Sequence, residues 1–487
     1  MRPDADDPIA EALQRYAAHA PKPDWRPPAV LRGNVSRRRR ARLEIGFAAA
    51  AVAISTFLVL ALASWPLRHT PAQHSATTPV GSRAPRIVLK HESPMDTLTS
   101  DLRELSFSAG PAEKHVAADE QKFALALFAD LVSESGGRAD NIVSTPLSLD
   151  EALAMLELAA SGSTRAQIEA ATQSTGLTPA VQAAGWNALD RELASDADHA
   201  ALAQRSGVVV EKGLDVKLQF LDTLVRYFGI GVKETDFGQV AKAEAAVRQW
   251  LEQASGSRAP GLYPPGALTP ETKAVLVNAL DFTARWSPTT VFKTSLQAFD
   301  VGGRSSLVPT MSASGDIAHL VTSTYSAVVL PFQGSSDEAI AIEPAAGVSM
   351  VALTQMTSPA MLDALAALPS NVGLVLTLPV VSTGSATSLE SPLEHLGMTS
   401  AFTTAADFTQ MTSPSVQIES AVQDNDLMIN PQGTGVESST AVSSQLGGVH
   451  GQVTEIQFDR PFLWLIRDPR TGVIVSEALV ANPRSPS

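Results

Sequence analysis

From residue 119 to residue 483 apolar positions recur with two alternating periods, one helical and one of two residues. Phe123, Ala124, Leu127, Phe128 and Leu131 follow helical spacing until Gly136-Gly137, which predicts a helix over Glu120–Ser135 packed by one face. Asn141–Ser144 reads as a short buried strand stopped by Pro146. Ser148 with Glu151, and Thr164 with Gln167, are spaced like capping boxes for the next two helices. Strands are predicted at Leu202–Val210, Val232–Phe237, Val275–Leu280, Phe299–Val301, Val308–Met311, Val328–Phe332, Ser349–Leu353 and Leu374–Pro379. Helices are predicted at Phe220–Phe228, at Ala243–Gln253 with Trp250 on its apolar side, and around Leu393–Met398. There is no internal repeat, so residues 119–484 read as one α+β domain.

Upstream the pattern changes. Residues 1–43 are interrupted by Pro21, Pro23, Pro27 and Pro28 and read as a mostly disordered tail, with helical spacing only over Pro8–Ala20. Ile45–Leu67 then runs for 23 residues without a charge. At 1.5 Å per residue this covers about 34 Å, enough for a hydrocarbon core of roughly 30 Å. Arg32, Arg37–Arg40 and Arg42 precede it and Arg68 alone follows at once, so residues 44–67 are expected to be a transmembrane helix with a cytoplasmic N-terminus. Ala61-Leu62-Ala63 also fits signal-peptide cleavage, and the arginine run taken alone fits a nucleic-acid patch. Residues 68–118, rich in Pro, Thr and Ser, are expected to be a flexible linker holding the domain off the membrane.

Composition narrows the chemistry. A length of 487 residues with 44% hydrophobic content supplies an ample core, and a net charge of -14 argues against a nucleic-acid surface. Without cysteine there are no disulfides, thiolate metal sites or thiol nucleophiles. No HExxH, GxSxG, Walker or SxxK motif occurs, and Gly433-Thr434-Gly435 lacks the third glycine of a dinucleotide pattern. No cofactor, metal or enzymatic activity is therefore expected. A Ser/His/Asp group assembled only in space, in an unrecognised hydrolase, remains an open alternative.

One stretch does not fit the ordinary classes. From Gly433 to Ser444 the chain is rich in small and hydroxyl residues, as a linker would be, yet it alternates. Thr434, Val436, Ser438, Thr440, Val442 and Ser444 form one side; Gly435, Glu437, Ser439, Ala441 and Ser443 form the other, which holds the only charge. It is a loop that could also be a strand.

Its flanks resemble the serpin family. The Gly433-Thr434 pair and Thr440 are similar to the serpin hinge, Phe458–Phe462 to the strand that follows the reactive loop, and Phe462–Asp468 with Thr471-Gly472 and Val480–Pro483 to the C-terminal hairpin. Pro146, Ser148, Leu149, Gly162, Thr164 and Gln167 resemble the N-terminal helices, and Val275–Leu280 with Phe282 and Trp286 a central-strand signature. The resemblance implies a serpin fold: a large mixed central sheet, smaller sheets, about eight or nine helices and an exposed reactive loop. It implies a monomeric suicide inhibitor, here a bacterial, membrane-anchored member with its domain periplasmic or extracellular. The partner would be a target serine protease that attacks the loop, whose freed side then enters the sheet. Gly433, Thr434, Gly435, Val436, Ser438 and Thr440 would form the hinge. Thr145, Pro146, Ser148, Asn278, Trp286 and Gln423 would line the sheet-opening region, with Asn278 a hydrogen-bonding latch.

Family spacing puts the scissile bond at Gly447-Gly448, with Leu446 and His450 as neighbours. No Lys or Arg lies between Gly433 and Asp459, so the target would be elastase-, subtilisin- or chymotrypsin-like and not trypsin-like. The chain departs from the family in Thr145 for a serine, Gln423 for a histidine, Pro431 for a glutamate before the hinge and Gly435 for a glutamate after it. A non-inhibitory serpin acting as a binding or substrate-like module is the alternative within the same fold.

Overall fold

Three sheets and nine α-helices are formed by residues 85–136, 140–195, 200–255, 268–370, 373–435 and 453–484, the parts of the chain that the computed structural model describes. The largest sheet has eight strands in the order β1 (Ile87–Lys90), β2 (Asp96–Ser100), β5 (Val232–Thr235), β4 (Ala200–Glu211), β6 (Ala274–Arg285), β15 (Gly433–Thr434), β14 (Ala421–Asn430) and β13 (Val381–Ser388). A six-stranded sheet runs β3 (Ile142–Ser144), β18 (Ile474–Val480), β17 (Phe462–Arg467), β11 (Glu338–Pro344), β10 (Tyr325–Pro331) and β9 (Ala318–Val321). A four-stranded sheet runs β16 (Thr454–Gln457), β12 (Gly373–Pro379), β8 (Arg304–Asp316) and β7 (Lys293–Val301).

The two faces of the large sheet are set by alternation along β6. Leu276, Asn278, Leu280 and Phe282 point to the face on which helix α2 (Pro146–Ala159) packs, and Val275 and Val277 to the face covered by helix α6 (Val240–Ser255) through Val247, Trp250 and Leu251. Behind α2 stand α1 (Pro111–Glu134) and α4 (Pro179–Ser195). The inner strands of the six-stranded sheet, β11, β17 and β18, are buried on both faces, and β17 accordingly reads as an apolar run, FLWLI, before Arg467.

Several expectations change. The linker expected over residues 68–118 ends early, because Ile87–Ser100 form β1 and β2 and α1 begins at Pro111. Strand β2 pairs antiparallel with β5, and Gly231 lies so close to β2 that a Cβ there would collide with Leu98 O. The chain then runs to α1 along α4 and α5 (Leu218–Phe228). Asn187 clamps it: its Oδ1 accepts from Phe107 N (3.0 Å), and its Nδ2 donates to Glu104 Oε1 (3.1 Å) and Tyr227 O (2.8 Å). The Phe107 and Tyr227 rings stack at 5.6 Å. Hydroxyl-rich composition concealed these strands because they sit at a sheet edge, where one face stays wet.

Helix starts also differ. Helix α2 opens on Thr145 with Pro146 in its first turn, where a missing N–H costs nothing, so Ser148 lies inside the helix rather than at its cap. Helix α3 (Gly162–Ala171) opens on Ser161, and Thr164 instead accepts from Asp407 N (2.9 Å) while Gln167 accepts from Ser400 N (2.8 Å). Ser349–Leu353 is not a strand: Ser349 caps α7 (Met350–Met356) by accepting from Ala352 N at 3.1 Å. Val232–Phe237 divides into β5 and a 3-10 turn starting at Phe237. Among the described residues no helix is long and apolar enough to cross a membrane; the tail at 1–43, the segment at 44–67 and Val436, Ser438, Thr440, Leu446, Gly447, Gly448 and His450 lie outside them.

Carboxyl groups are buried on strand β18 and helix α2. Glu477 on β18 is 1% exposed, with no hydrogen-bond partner at either carboxyl oxygen, and burial pushes it up to about 8. Glu157 is likewise pushed to about 8, first by burial and then by Glu169. A carboxyl raised in the folded state costs nothing while protonated in both states, below about 4.5. It costs progressively more as pH rises towards about 8, because the unfolded chain ionises first.

Two outcomes follow. Urea unfolding across pH should find stability falling between about pH 5 and about pH 8, with Glu477→Gln flattening the loss and equalling the unsubstituted chain at the acid end. Asn187→Leu, which leaves three partners of the clamp unmade, should lower unfolding free energy by about 1–3 kcal/mol in the same measurement.

Candidate functional site

The central sheet is divided between β6 and β14. These strands pair directly only over four residues, in parallel, from Leu276↔Ala421 to Ala279↔Asp424. Towards the other end they diverge, and β15 lies between them, with Gly433 opposite Arg285 and Asn430, and Thr434 opposite Ala284 and Ile429. Between the two ends no backbone pairing crosses the opening among the described residues 280–282 and 425–427.

Beneath the closed end lies a polar cluster with no charge in it. Gln423, Asn425 and Asn278 are each fully buried, as are Thr145 (3% exposed) and Ser148 at the start of α2. Gln423 engages both backbone groups of one residue, accepting from Thr145 N at 3.1 Å and donating to Thr145 O at 3.0 Å. Asn425 Nδ2 donates to Val143 O at 3.0 Å and to Gln423 Oε1 at 2.9 Å, and its Oδ1 accepts from Thr145 Oγ1 at 2.7 Å. The Asn278 amide meets Ser148 Oγ at 3.0 Å; assigned by its surroundings, its oxygen also accepts from Gln423 Nε2 (2.8 Å) and its nitrogen donates to Val422 O (3.2 Å). Ser206 on β4 donates to Ser148 O at 2.8 Å. Strands β6 and β14 are thus both hung on the first turn of α2.

The opposite end is built differently. Strand β14 turns back into β15 through Pro431-Gln432, and Asn430 Oδ1 accepts from Gln432 N (2.8 Å) and Gly433 N (3.2 Å). Pro431 sits at the first corner of this turn, where proline's fixed φ suits the bend and no N–H is required. Trp286 Nε1 donates to Asn430 O at 2.8 Å while its ring stacks on Phe332 at 5.1 Å and meets Trp464 edge-on at 6.0 Å. A Cβ on Gly433 would collide with Ala284 O. Gly435 has φ +64°, so the chain leaves the sheet there in a left-handed bend that a side chain would jam against Phe282 O and Thr283 Oγ1.

The residues singled out in the sequence therefore fall into two places. Thr145, Ser148, Asn278 and Gln423 meet in the polar cluster, with Pro146 positioning Thr145. Trp286 instead belongs to the hinge end with Gly433, Thr434 and Gly435. Asn425, which the sequence reading missed, stands two residues after Gln423 on the same face of β14, and that period was the available signal.

The one place among the described residues where serine, histidine and carboxylates meet is on the surface. His395 Nδ1 lies 3.0 Å from Asp130 Oδ2, and Ser391 Oγ donates to Glu134 Oε1 at 2.5 Å. Those carboxylates, Asp130 first, raise His395 above its usual range. With the hydroxyl donating to Glu134 and the imidazole engaged by Asp130, the group is an exposed ion-pair cluster in which Ser391 makes no hydrogen bond to His395.

The serpin (serine protease inhibitor) family profile matches residues 118–483. Plasminogen activator inhibitor 1 of Bos taurus is 28% identical over 377 residues, covering 74% of this chain and 91% of that protein. Serpin-Z1C of Triticum aestivum is 29% identical over 385 residues, covering 75% of this chain and 96% of the relative. Among solved structures, the thermophilic serpin tengpin in its native state superposes with a TM-score of 0.70 at 19% identity, covering 78% of this chain and 97% of that one. Serpin-12 of Manduca sexta superposes with a TM-score of 0.64 at 23% identity, covering 77% and 99%. A profile match over three quarters of the sequence, on a fold whose central sheet is parted between two strands beside its hinge, means that this chain belongs to the serpin family.

Proposed function

We propose that the chain inhibits serine proteases as a suicide substrate, by taking its cut reactive loop into the central sheet. The observation that carries this reading is β15: Gly433 and Thr434 already occupy the first two rungs between β6 and β14. Continuing their register down the opening sets Val436 opposite Phe282 and Leu427, Ser438 opposite Leu280 and Asn425, and Thr440 opposite Asn278 and Gln423. These sequence positions are small or β-branched and uncharged, as the buried face demands. Thr440 would bring a hydroxyl to the polar cluster as the strands part, where unmade partners would otherwise be costly. A dozen residues at about 3.3 Å each would carry an attached protease roughly 40 Å.

The two departures at the hinge are compatible with this reading. Pro431 stands in a turn outside the entering strand, and Gly435 is a pivot able to pass from a left-handed to an extended backbone. The absence of Lys and Arg between Gly433 and Asp459 favours an elastase-, subtilisin- or chymotrypsin-like target cutting near Gly447-Gly448, with Leu446 and His450 beside the bond. The uncharged segment and its flanking arginines favour display of a monomeric domain on the outer side of a cytoplasmic membrane by residues 44–67.

Incubation with each of the three protease types should give a band stable to denaturing electrophoresis at the summed mass, with the melting temperature of the cut protein rising. Plain cleavage with no band and no rise would leave only the non-inhibitory alternative. Gly435→Ala should destabilise the uncut protein by about 1 kcal/mol or more, through its left-handed φ, and leave the cut, extended form unaffected in thermal unfolding.

A further inference from the structure

Two aspartates stand on the two strands that border the unfilled part of the opening. Asp281 on β6 and Asp426 on β14 lie on the same outer face, midway between the β15 rungs and the four-residue ladder. Desolvation, and then the charge of Asp426, raises Asp281 to about 6, and desolvation raises Asp426, the more exposed of the two, to about 6. No basic group stands opposite either one. The register partner of Asp281 on β4 is Ala203, and that of Asp426 on β13 is Gly384, whose missing Cβ leaves the space that the Asp426 carboxylate fills. Thr283 Oγ1 donates to Asp281 Oδ2 at 3.5 Å.

Arg285 is four residues along β6 from Asp281, beside the β15 rungs. Arg205 on β4 and Asp424 on β14 are both register partners of Ala279, two residues along β6 from Asp281. Helix α6, which carries Lys242, Glu244, Arg248 and Glu252, packs on the sheet at Val275, Val277 and Val422, and the nearest of these is four residues, or about 13 Å, from the pair.

The register of β15 gives this pair a consequence. Three residues beyond Thr434 the next charged position in the sequence is Glu437, and a strand continued in unbroken register would set it opposite Asp281 on one side and Asp426 on the other. Neighbouring strands lie about 4.8 Å apart, so three carboxyls would line up across two strand spacings. Like charges directly opposite one another destabilise a sheet. The contact is also met early, before the remaining inserted residues have made their backbone bonds, so it bears on the barrier more than on the end state.

We infer that Asp281 and Asp426 make strand uptake into the central sheet proton-dependent, slow while both are ionised and faster once one is protonated. The inference rests on the insertion reading above, and its test separates the two. A fluorescent peptide of residues 435–447 is incubated with the full chain, and its incorporation is followed by native electrophoresis and by the rise in melting temperature. Uptake should be about tenfold faster near pH 5 than near pH 7.5, since two like-charge contacts together are worth about one decade in rate. Asp281→Asn with Asp426→Asn in the protein, or Glu437→Gln in the peptide, should bring the rate near pH 7.5 up to the acid rate. The peptide variant needs no change in the protein, so it decides the matter even where the double variant does not fold. Equal uptake at both pH values, or a pH dependence that survives these substitutions, overturns the inference and leaves insertion standing. No uptake by any combination overturns both.

Discussion

The structure depends on a single point of suspension, the first turn of α2, to which both strands bordering the opening are tied. Gln423 holds β14 to the backbone of Thr145 by two bonds, and Asn278 holds β6 to Ser148. Each such bond contributes about 1 kcal/mol net, but a buried amide left without its partner costs up to about 3 kcal/mol, so pulling one strand away exposes the full penalty at several atoms together. The cluster is neutral, which matters equally. Charged groups in its place would have to be neutralised or paired before the strands could part, whereas amides and hydroxyls can exchange one partner for another as they slide.

At the opposite end, control is exerted by backbone geometry and not by polar chemistry. Pro431 and Asn430 fix where β14 reverses, and Trp286, stacked on Phe332, holds the carbonyl at that reversal. Gly433 allows β15 to approach β6 closer than any side chain would, and Gly435 ends the strand after two residues by bending into left-handed space. The hinge therefore starts a strand that it also stops. Because glycine moves between left-handed and extended φ at little cost, the stop is a weak one.

Much of this could be read from the sequence because alternation is a strong signal wherever one face of a strand is buried. Val275–Leu280, with Asn278 as the polar exception in an apolar run, fell inside β6, and Phe220–Phe228 fell inside α5. The alternation from Thr434 predicted the buried side that the register of β15 now sets for Thr434. What could not be read were contacts between distant segments. Ile87–Ser100 look like linker because their strand character comes from pairing with Val232–Thr235, more than 130 positions away. Ser148 looked like a cap because a Ser with a Glu three residues on is a local pattern, while its true partners, Asn278 and Ser206, come from other strands. Asp281 and Asp426 carry no local mark at all; their meaning lies in standing on opposite sides of an opening.

Under the proposed insertion, magnitudes show how the polar cluster would act as a barrier. A strand of a dozen residues paired on both sides would add about two dozen backbone hydrogen bonds, and at about 0.5 kcal/mol net for each this is about 12 kcal/mol. Ordering the same residues costs about 1–2 kcal/mol each, so gain and cost are of similar size and a few polar contacts at the closed end weigh heavily in the balance. Buried Glu477 and Glu157 lower the stability of the uncut protein at neutral pH. They are present in either arrangement of the sheet, so they do not hold the opening closed. On the proposed mechanism that task would fall to the groups that tie β6 and β14 to α2, namely Thr145, Ser148, Asn278, Gln423 and Asn425.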